Sequence, residues 1–189
     1  MATDLDEARR TLIAELREHA LVVGEVTLAS GVTAAYYVDA RRALLRPAGF
    51  AAAGRLIAAA AHELGAVAVG GPATAAIPPA CAAIAAAQGD GELVGFFVRS
   101  ERKEHGLQRW VEGPVEPGMR CLAVEDTVTS GGSVVTAIER MRAEGLEVVG
   151  TVCVVDRLAG AREAIEAAGG APFQALASID EVYPQRPDR

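Results

Sequence analysis

The chain has 189 residues, enough for one domain with a substantial core. Apolar residues make up 51% and charged residues 23%, which is typical of a globular protein and not of a disordered one. The net charge of -7 argues against general nucleic-acid binding, because that function needs a basic surface. The first residues are acidic and polar, so no signal peptide is expected, and we expect a soluble, cytoplasmic protein.

The apolar pattern predicts strands alternating with helices. In chain order, we expect a helix at 4–19, strands at 22–28 and 34–39, a helix at 47–64, a strand at 66–70, a helix at 78–87, strands at 93–98 and 120–125, a helix at 133–144, a strand at 148–155, a helix at 161–168 and a strand at 173–176. This alternation predicts a mainly parallel sheet with helices on both faces. Residues 66–87 carry no charge, but their Gly and Pro favour a strand, turn and helix over a membrane span.

Cysteine and lysine are both rare in this chain, and their positions are informative. Cys81, Cys121 and Cys153 lie in separate apolar runs without a CxxC pair, so we expect buried, reduced thiols and no zinc site. Lys103 is the only lysine among the 18 basic residues. It falls in the polar connection 99–116, which indicates either a lid or binding loop, or a solvated surface loop.

Two adjacent carboxylates, Glu125 and Asp126, end the predicted strand 120–125. Small and hydroxyl residues dominate the segment that leads from them into the next helix: Thr127, Val128, Thr129, Ser130, Gly131, Gly132 and Ser133. Converging backbone N–H groups and a helix N-terminus favour an anion, so this segment predicts a phosphate cradle. The carboxylates would repel phosphate and suit neutral hydroxyls, such as a ribose diol, or a magnesium ion. The alternative is a strand-end Asp that caps the helix.

Residues 124–131 resemble the phosphoribosyl diphosphate (PRPP) signature of the type I phosphoribosyltransferase family. The resemblance implies that Glu125 and Asp126 hold the ribose 2′ and 3′ hydroxyls, while residues 127–133 bind the 5′-phosphate. It also implies an α/β fold in one domain, with a central, mainly parallel sheet flanked by helices. A small hood of about residues 1–45 plus the C-terminal segment would cover a core of about residues 46–178.

Other segments are similar to the orotate phosphoribosyltransferases within that family. Leu28-Ala29-Ser30-Gly31 with Tyr36-Tyr37 matches a hood over the base, Arg99, Lys103, His105 and Gly106 match a mobile catalytic loop, and Asp156-Arg157 matches a strand end beside orotate. The resemblance implies transfer of the phosphoribosyl group from PRPP to orotate, giving orotidine 5′-monophosphate and diphosphate in pyrimidine (UMP) biosynthesis. The implied catalytic residues are Lys103, Arg99, His105 and Asp126, of which Lys103, Arg99 and His105 also bind PRPP; the implied orotate contacts are Thr129, Arg157, Tyr36 and Tyr37.

The same resemblance implies the partners. Mg²⁺ would be bound mainly through PRPP, without a direct protein ligand. The protein would be a homodimer whose catalytic loop is shared between subunits, with no nucleic-acid or membrane partner.

The chain departs from the family pattern at three positions. Ala29, Ser100 and Thr74-Ala75 stand where many relatives have Lys, Lys and Tyr-Lys. The loss of three cationic contacts leaves open a weaker enzyme, a phosphoribosyltransferase for another base, or a non-catalytic regulatory protein that binds PRPP. Strand 148–155 lacks the Lys usual in purine-type members, and the catalytic loop is present, which argues against both rivals.

The sequence allows two interpretations each for Trp110 and for Arg41-Arg42. Trp110 either covers the site or packs against a partner subunit. Arg41-Arg42 either supports the hood or is solvated.

Overall fold

The central feature of the computed structural model, which describes residues 2–27, 33–87, 93–101, 109–170 and 172–189, is a six-stranded sheet. The strands are β1 (Leu21–Thr27), β2 (Thr33–Val38), β3 (Ala68–Pro72), β4 (Val94–Val98), β5 (Val111–Glu112), β6 (Arg120–Val128), β7 (Glu147–Asp156) and β8 (Phe173–Ser178). The helices are α1 (Ala2–Glu15), α2 (Arg41–Leu44), α3 (Pro47–Glu63), α4 (Ile77–Ala86), α5 (Gly132–Ala143), α6 (Ala161–Ile165) and α7 (Ile179–Val182). Turns of π-helix extend α1 over Leu16–Ala20 and α6 over Glu166–Gly170.

The strand order of the main sheet is β5-β4-β3-β6-β7-β8. All neighbouring pairs are parallel except β4–β5, which is antiparallel, so the predicted mainly parallel sheet is confirmed. The chain moves outward from β3 to β4, and then returns to the other side of β3 to build β6, β7 and β8. Ligands of open α/β sheets bind where the strand order reverses in this way, outside the carboxyl ends of the strands, which here is between β3 and β6.

Buried apolar side chains fill both faces of this sheet. One cluster packs α1 and α3 against it through residues such as Leu12, Leu16 and Ile57, and the other packs α5 through Ile138 and Met141. The alanine-rich helices α3 and α4 approach closely, because a Cβ added at Gly54 would overlap the carbonyl oxygen of Ala82. Small side chains in this tract therefore allow two backbones to pack near contact.

A separate two-stranded antiparallel sheet, β1–β2, lies in the N-terminal part of the chain. It holds Tyr36 and Tyr37 on β2, whereas the matched tetrapeptide Leu28-Ala29-Ser30-Gly31 lies outside the described residues. The pairing of β1 with β2 continues by one residue at the base of the hairpin, where the backbone N–H of Asp39 donates to the carbonyl of Ala20 at 2.9 Å.

The structure differs from the sequence expectations in three respects. β5 forms inside the predicted loop 99–116, because its two residues add to the open edge of β4. The short helices α2 and α7 were not predicted, since four residues give too little periodicity. The prediction of three buried thiols is wrong for Cys81, which is exposed on α4 while Cys121 and Cys153 are buried.

No helix in the described part of the chain combines the length and the apolar character needed to cross a bilayer.

Candidate active site

Two buried carboxylates, Glu125 and Asp126, lie side by side near the carboxyl end of β6, with 2% and 9% of their surfaces exposed. The hydroxyl of Ser133, on the first turn of α5, donates to Glu125 Oε2 at 3.0 Å. The backbone N–H of Thr127 donates to Asp126 Oδ1 at 2.6 Å. These contacts fix both carboxyl groups without an ion pair from a described cation.

Burial shifts the acidity of this pair. Burial first, and then the charge of Asp126, raises the pKa of Glu125 to about 8. Burial also raises the pKa of Asp126 to about 6, against the hydrogen bond from Thr127 and the charge of Arg41, which both lower it. Near neutral pH the empty pair therefore carries less negative charge than two free carboxylates. Adjacent acids with raised pKa values in a sheet-edge cleft are typical of a functional site.

The loop after β6 has the features of the predicted phosphate cradle. Thr129 and Ser130 are exposed, and Gly131 precedes α5 with φ 81°. A side chain at Gly131 would be strained by this φ and would bring its Cβ to 3.1 Å from Ile165. No described side chain caps α5, so the alternative that Asp126 is the helix cap is wrong. The first N–H groups of this 12-residue helix remain available to an anion.

The first two residues of the predicted cradle are Thr127 and Val128. The Thr127 hydroxyl oxygen is buried and has no hydrogen-bond partner within the described residues. Val128 is the last residue of β6, and its carbonyl accepts from the backbone N–H of Arg157 at 2.9 Å. The ends of β6 and β7 are therefore joined at the cradle.

Arg157 follows the last residue of β7 and is half-buried. Its guanidinium lies 5.3 Å from the ring centroid of Tyr36, on the hood strand β2. Asp156 accepts from the backbone N–H of Leu158 at 2.8 Å, which holds the turn after the strand. Tyr37 is half-buried next to Tyr36. The structure thus brings Arg157 and Tyr36 together, whereas Tyr37, the next residue of the strand, points to the opposite face of β2.

The turn after β3 lies at the same edge of the sheet. The Ala73–Thr74 peptide is cis, and the N–H of Ala73 donates to the carbonyl of Val98 at 2.8 Å. A Cβ at Gly71 would overlap the carbonyl oxygen of Val124, so the two strands meet closely where the strand order reverses. Thr74 and Ala75 place no cation there.

Comparison with known proteins identifies the family to which this arrangement belongs. The phosphoribosyl transferase domain model matches residues 41–168. The orotate phosphoribosyltransferase of Streptomyces avermitilis is 44% identical over 179 residues, which cover 94% of this chain and 98% of the relative. The chain belongs to the orotate phosphoribosyltransferase family.

Solved structures of this family agree with the fold. The Mycobacterium tuberculosis H37Rv orotate phosphoribosyltransferase in complex with Fe(III) dicitrate is 40% identical and superposes with a TM-score of 0.83, covering 93% of this chain and 99% of that one. The same enzyme in complex with PRPP gives a TM-score of 0.79 at 36% identity, covering 93% and 98%. The type I phosphoribosyltransferase fold is therefore confirmed.

Arg99 and Trp110, on either side of the central part of the predicted loop 99–116, contact the C-terminal end of α5. Arg140 donates to the carbonyl of Arg99 at 2.6 Å, and its guanidinium lies 3.8 Å from the ring centroid of Trp110. Glu144 accepts from the backbone N–H of Trp110 at 2.9 Å, and the N–H of Arg99 donates to the carbonyl of Trp110 at the same distance. Trp110 therefore packs on a helix of its own chain. Lys103, His105 and Gly106 lie outside the described residues.

Arg41 lies near the acid pair. Its Nε donates to Asp39 Oδ1 at 2.7 Å, and the charges of both residues act on Asp126. Arg42, by contrast, is exposed. Of the two open interpretations for Arg41-Arg42, solvation applies to Arg42, and support of the hood by Arg41 stays a prediction.

The site offers carboxylate oxygens, which suit a divalent cation such as Mg²⁺. Within the described residues, no three His, Cys, Asp or Glu side chains converge as a metal site. Both oxygens of Glu125 already accept hydrogen bonds, from Ser133 and from the N–H of Asp126. Glu125 is therefore less available than Asp126 to contact a cation.

Sequence reasoning missed several residues that shape this site. Arg140 lies in the last turn of α5 and Glu144 directly follows this helix, at i,i+4 spacing. This spacing is a weak signal of a helix, and it does not indicate that the two residues contact Arg99 and Trp110. Asp188 accepts from the hydroxyl of Tyr36 at 3.0 Å across 152 residues of sequence, so no local pattern could have revealed it.

Proposed function

We propose that this protein transfers the phosphoribosyl group of PRPP to orotate, producing orotidine 5′-monophosphate and diphosphate in pyrimidine (UMP) synthesis. One observation carries this proposal: the buried pair Glu125–Asp126 lies directly before an uncapped helix N-terminus, with Arg157 hydrogen-bonded to the same strand end. The named family relatives support the choice of base.

At the ribose end, the carboxylates accept hydrogen bonds from the sugar hydroxyls, and the loop 127–133 receives the 5′-phosphate. Neutral hydroxyls bring no negative charge to the buried pair, and as hydrogen-bond donors they favour its ionised form. The phosphate lies at the start of α5, where backbone N–H groups and the helix dipole favour an anion. The sugar is thereby fixed with its anomeric carbon toward the hood.

At the base end, Arg157 pairs with the orotate carboxylate, Thr129 and Tyr37 line the base, and Tyr36, which is 3% exposed, contacts Arg157 through its ring. A charge-assisted pair with a guanidinium is strong and directional, which fits a substrate that is an anion. Held in this way, the ring nitrogen of orotate faces the anomeric carbon. Orientation of the two reactants supplies part of the rate enhancement.

At the leaving-group end, the bond between the anomeric carbon and diphosphate breaks as the bond to the orotate nitrogen forms, and the proton on that nitrogen passes to the departing diphosphate. The ribose passes through an oxocarbenium-like state, so no protein nucleophile is needed. Arg99, Lys103 and His105 stabilise the charge that develops on diphosphate, and a closed loop excludes water. Mg²⁺ carried by PRPP supplies further neutralisation of the diphosphate oxygens.

Four further assignments belong to this proposal. Residues 1–189 form one functional unit, in which the hood, about 1–45 with the C-terminal segment, closes over the core, about 46–178. The protein acts in the cytoplasm. It is a homodimer, and the loop carrying Lys103 completes the site of the neighbouring subunit.

The decisive experiment is to incubate the purified protein with PRPP, Mg²⁺ and a panel of pyrimidine and purine bases, with products separated by chromatography. We expect diphosphate and a nucleotide from orotate alone. Turnover of another base would assign a different phosphoribosyltransferase. PRPP binding without turnover of any base would assign a regulatory PRPP-binding protein.

The shared site is tested by mixing subunits. At limiting PRPP, Lys103→Ala and Asp126→Asn homodimers should each be strongly impaired, and heterodimers should regain activity, because one of their two sites has both wild-type parts. Subunit exchange is verified with differently tagged chains. Exchange without recovered activity would show that each subunit uses its own loop.

A further inference from the structure

Residues of α7 and of the segment that follows it form a network against the hood, which we call the tail network: Asp180, Tyr183, Arg186 and Asp188. Arg186 donates through Nε to Asp180 Oδ1 at 2.8 Å and lies 3.0 Å from Asp188 Oδ1 through a terminal nitrogen. Its side chain is only 12% exposed. Two ion pairs to a largely buried guanidinium therefore hold this segment, with the side chain of Asp188 itself 53% exposed.

The tail network ends on Tyr36. Asp188 Oδ2 accepts from the Tyr36 hydroxyl at 3.0 Å, and the Tyr183 ring lies edge-on to the Tyr36 ring with centroids 5.3 Å apart. Tyr36 is 3% exposed, so both its hydroxyl and its ring are fixed by these contacts. The hydroxyl is engaged within the chain and is not available as a donor to a ligand.

The ring of Tyr36 is in turn the support for Arg157. The guanidinium lies 5.3 Å from the ring centroid, and no described carboxylate forms an ion pair with it. An aromatic ring holds a cation without neutralising its charge. Arg157 is thus oriented and keeps its charge for an anionic ligand, while Asp188, the acid beside this ring, is paired with Arg186.

We propose that the tail network sets the orientation of Arg157 through Tyr36, and thereby sets how strongly the site selects a base that carries a carboxylate. Tyr36, Arg186 and Asp188 are positioning residues in this account, and Tyr36 acts through its ring and not as a hydrogen-bond donor to the base. The inference rests on the proposed function, because it takes Arg157 as the partner of the orotate carboxylate.

The test compares two nucleotides that differ only in that carboxylate. Orotidine 5′-monophosphate and uridine 5′-monophosphate are titrated calorimetrically into the full-length protein. The ratio of the two dissociation constants isolates recognition of the carboxylate. Asp188→Asn weakens the bond to the Tyr36 hydroxyl, and Tyr36→Phe removes only the oxygen that makes it. We expect each to weaken orotidine 5′-monophosphate by about 3–10-fold, as for one lost hydrogen bond, and to leave uridine 5′-monophosphate unchanged.

Two further variants complete the design. Arg157→Ala is the reference, which should abolish the preference between the nucleotides. Arg9→Gln is the matched control, because it breaks an exposed 2.7 Å ion pair with Glu181 on α7 without touching Tyr36. It should leave both constants unchanged.

Each result is decisive. If Arg157→Ala removes the preference and both Asp188→Asn and Tyr36→Phe retain it, the inference is wrong and the proposed function stands. If the latter two weaken both nucleotides equally, the tail network only supports the fold, and the inference is also wrong. If Arg157→Ala itself retains the preference, the assignment of the base site fails, and the inference fails with it.

Discussion

Two neighbouring strand–turn–helix units of this protein meet at the point where the strand order reverses, and they are built in opposite ways. The unit β6–α5 has two buried acids, hydroxyl residues and a helix without a side-chain cap. The unit β3–α4 has no charged residue between 66 and 87, and Pro78 and Pro79 occupy its first helical turn. Proline has no N–H, so this second helix offers fewer backbone donors to an anion.

This difference indicates which part of the protein binds each charged group of PRPP. In the proposed function, the β6–α5 unit binds the ribose and its phosphate. The β3–α4 unit would contribute backbone groups of the turn 71–76, and its residues 66–87 carry no charge. We therefore propose that stabilisation of the departing diphosphate comes from groups outside both units, namely Arg99, Lys103, His105 and a metal ion carried by PRPP.

The largest expected effect tests whether Lys103, outside both units, stabilises the departing diphosphate. Lys103→Ala should lower kcat by at least about 10²–10³-fold, the loss typical of one preorganised electrostatic contact. The affinity for PRPP should fall much less, because the interaction strengthens as charge develops on diphosphate. Steady-state kinetics and PRPP titration separate the two effects. Lys103→Arg keeps the charge and should retain part of the activity, and near-normal kcat in Lys103→Ala would remove the residue from the mechanism.

The next effect concerns the β6–α5 unit. Asp126→Asn should weaken PRPP binding by about 10–100-fold, since an amide presents one acceptor oxygen to the ribose hydroxyls instead of a charged carboxylate. Calorimetric titration measures this change. Asp4→Asn, at an exposed position of α1, serves as the control. An unchanged dissociation constant would mean that the acid pair does not hold the sugar.

A third prediction uses the protonation of the same unit. Burial raises the pKa of Glu125 to about 8, whereas an unfolded carboxyl titrates near 4.5. Between these values the folded state holds a proton that the unfolded state has lost, so this group lowers the free energy of unfolding as pH rises through the window.

Thermal unfolding of the ligand-free protein between pH 4.5 and 8 measures this dependence. Glu125→Gln removes the titration, so its Tm should fall less over this window than that of the wild type. A difference of about 1 kcal/mol would correspond to about 2–4 °C for a chain of this size. Parallel curves for the two proteins would show that Glu125 is ionised in the folded state throughout.

The smallest effect tests the β3–α4 unit by giving it the charge it lacks. Ala75→Lys should tighten PRPP binding by about 3–10-fold, and this gain should shrink as salt is added. Ala75→Gln is the matched control, because it adds a polar side chain of similar reach without the charge. An equal gain from Gln would show that contact, and not charge, is missing at this turn.

Much of the fold could be predicted, because helical and strand periodicities are long in the core elements. The acid pair, the Gly131 turn and the strand-end Arg157 were also predicted, since each lies within a continuous motif next to a buried strand. β5 was not, because two residues form a strand only when the edge of β4 is beside them. The tail network was not predicted either, since Asp188 meets Tyr36 only after the whole sheet has been built.

Exposure of Cys81 has a practical consequence. Burial raises the pKa of the Cys121 thiol to about 12 and that of Cys153 well above its usual range, so neither forms the reactive thiolate readily. Cys81 lies on α4, a few residues after the turn 71–76. A maleimide dye should therefore attach selectively to this one thiol of the native protein, without any substitution.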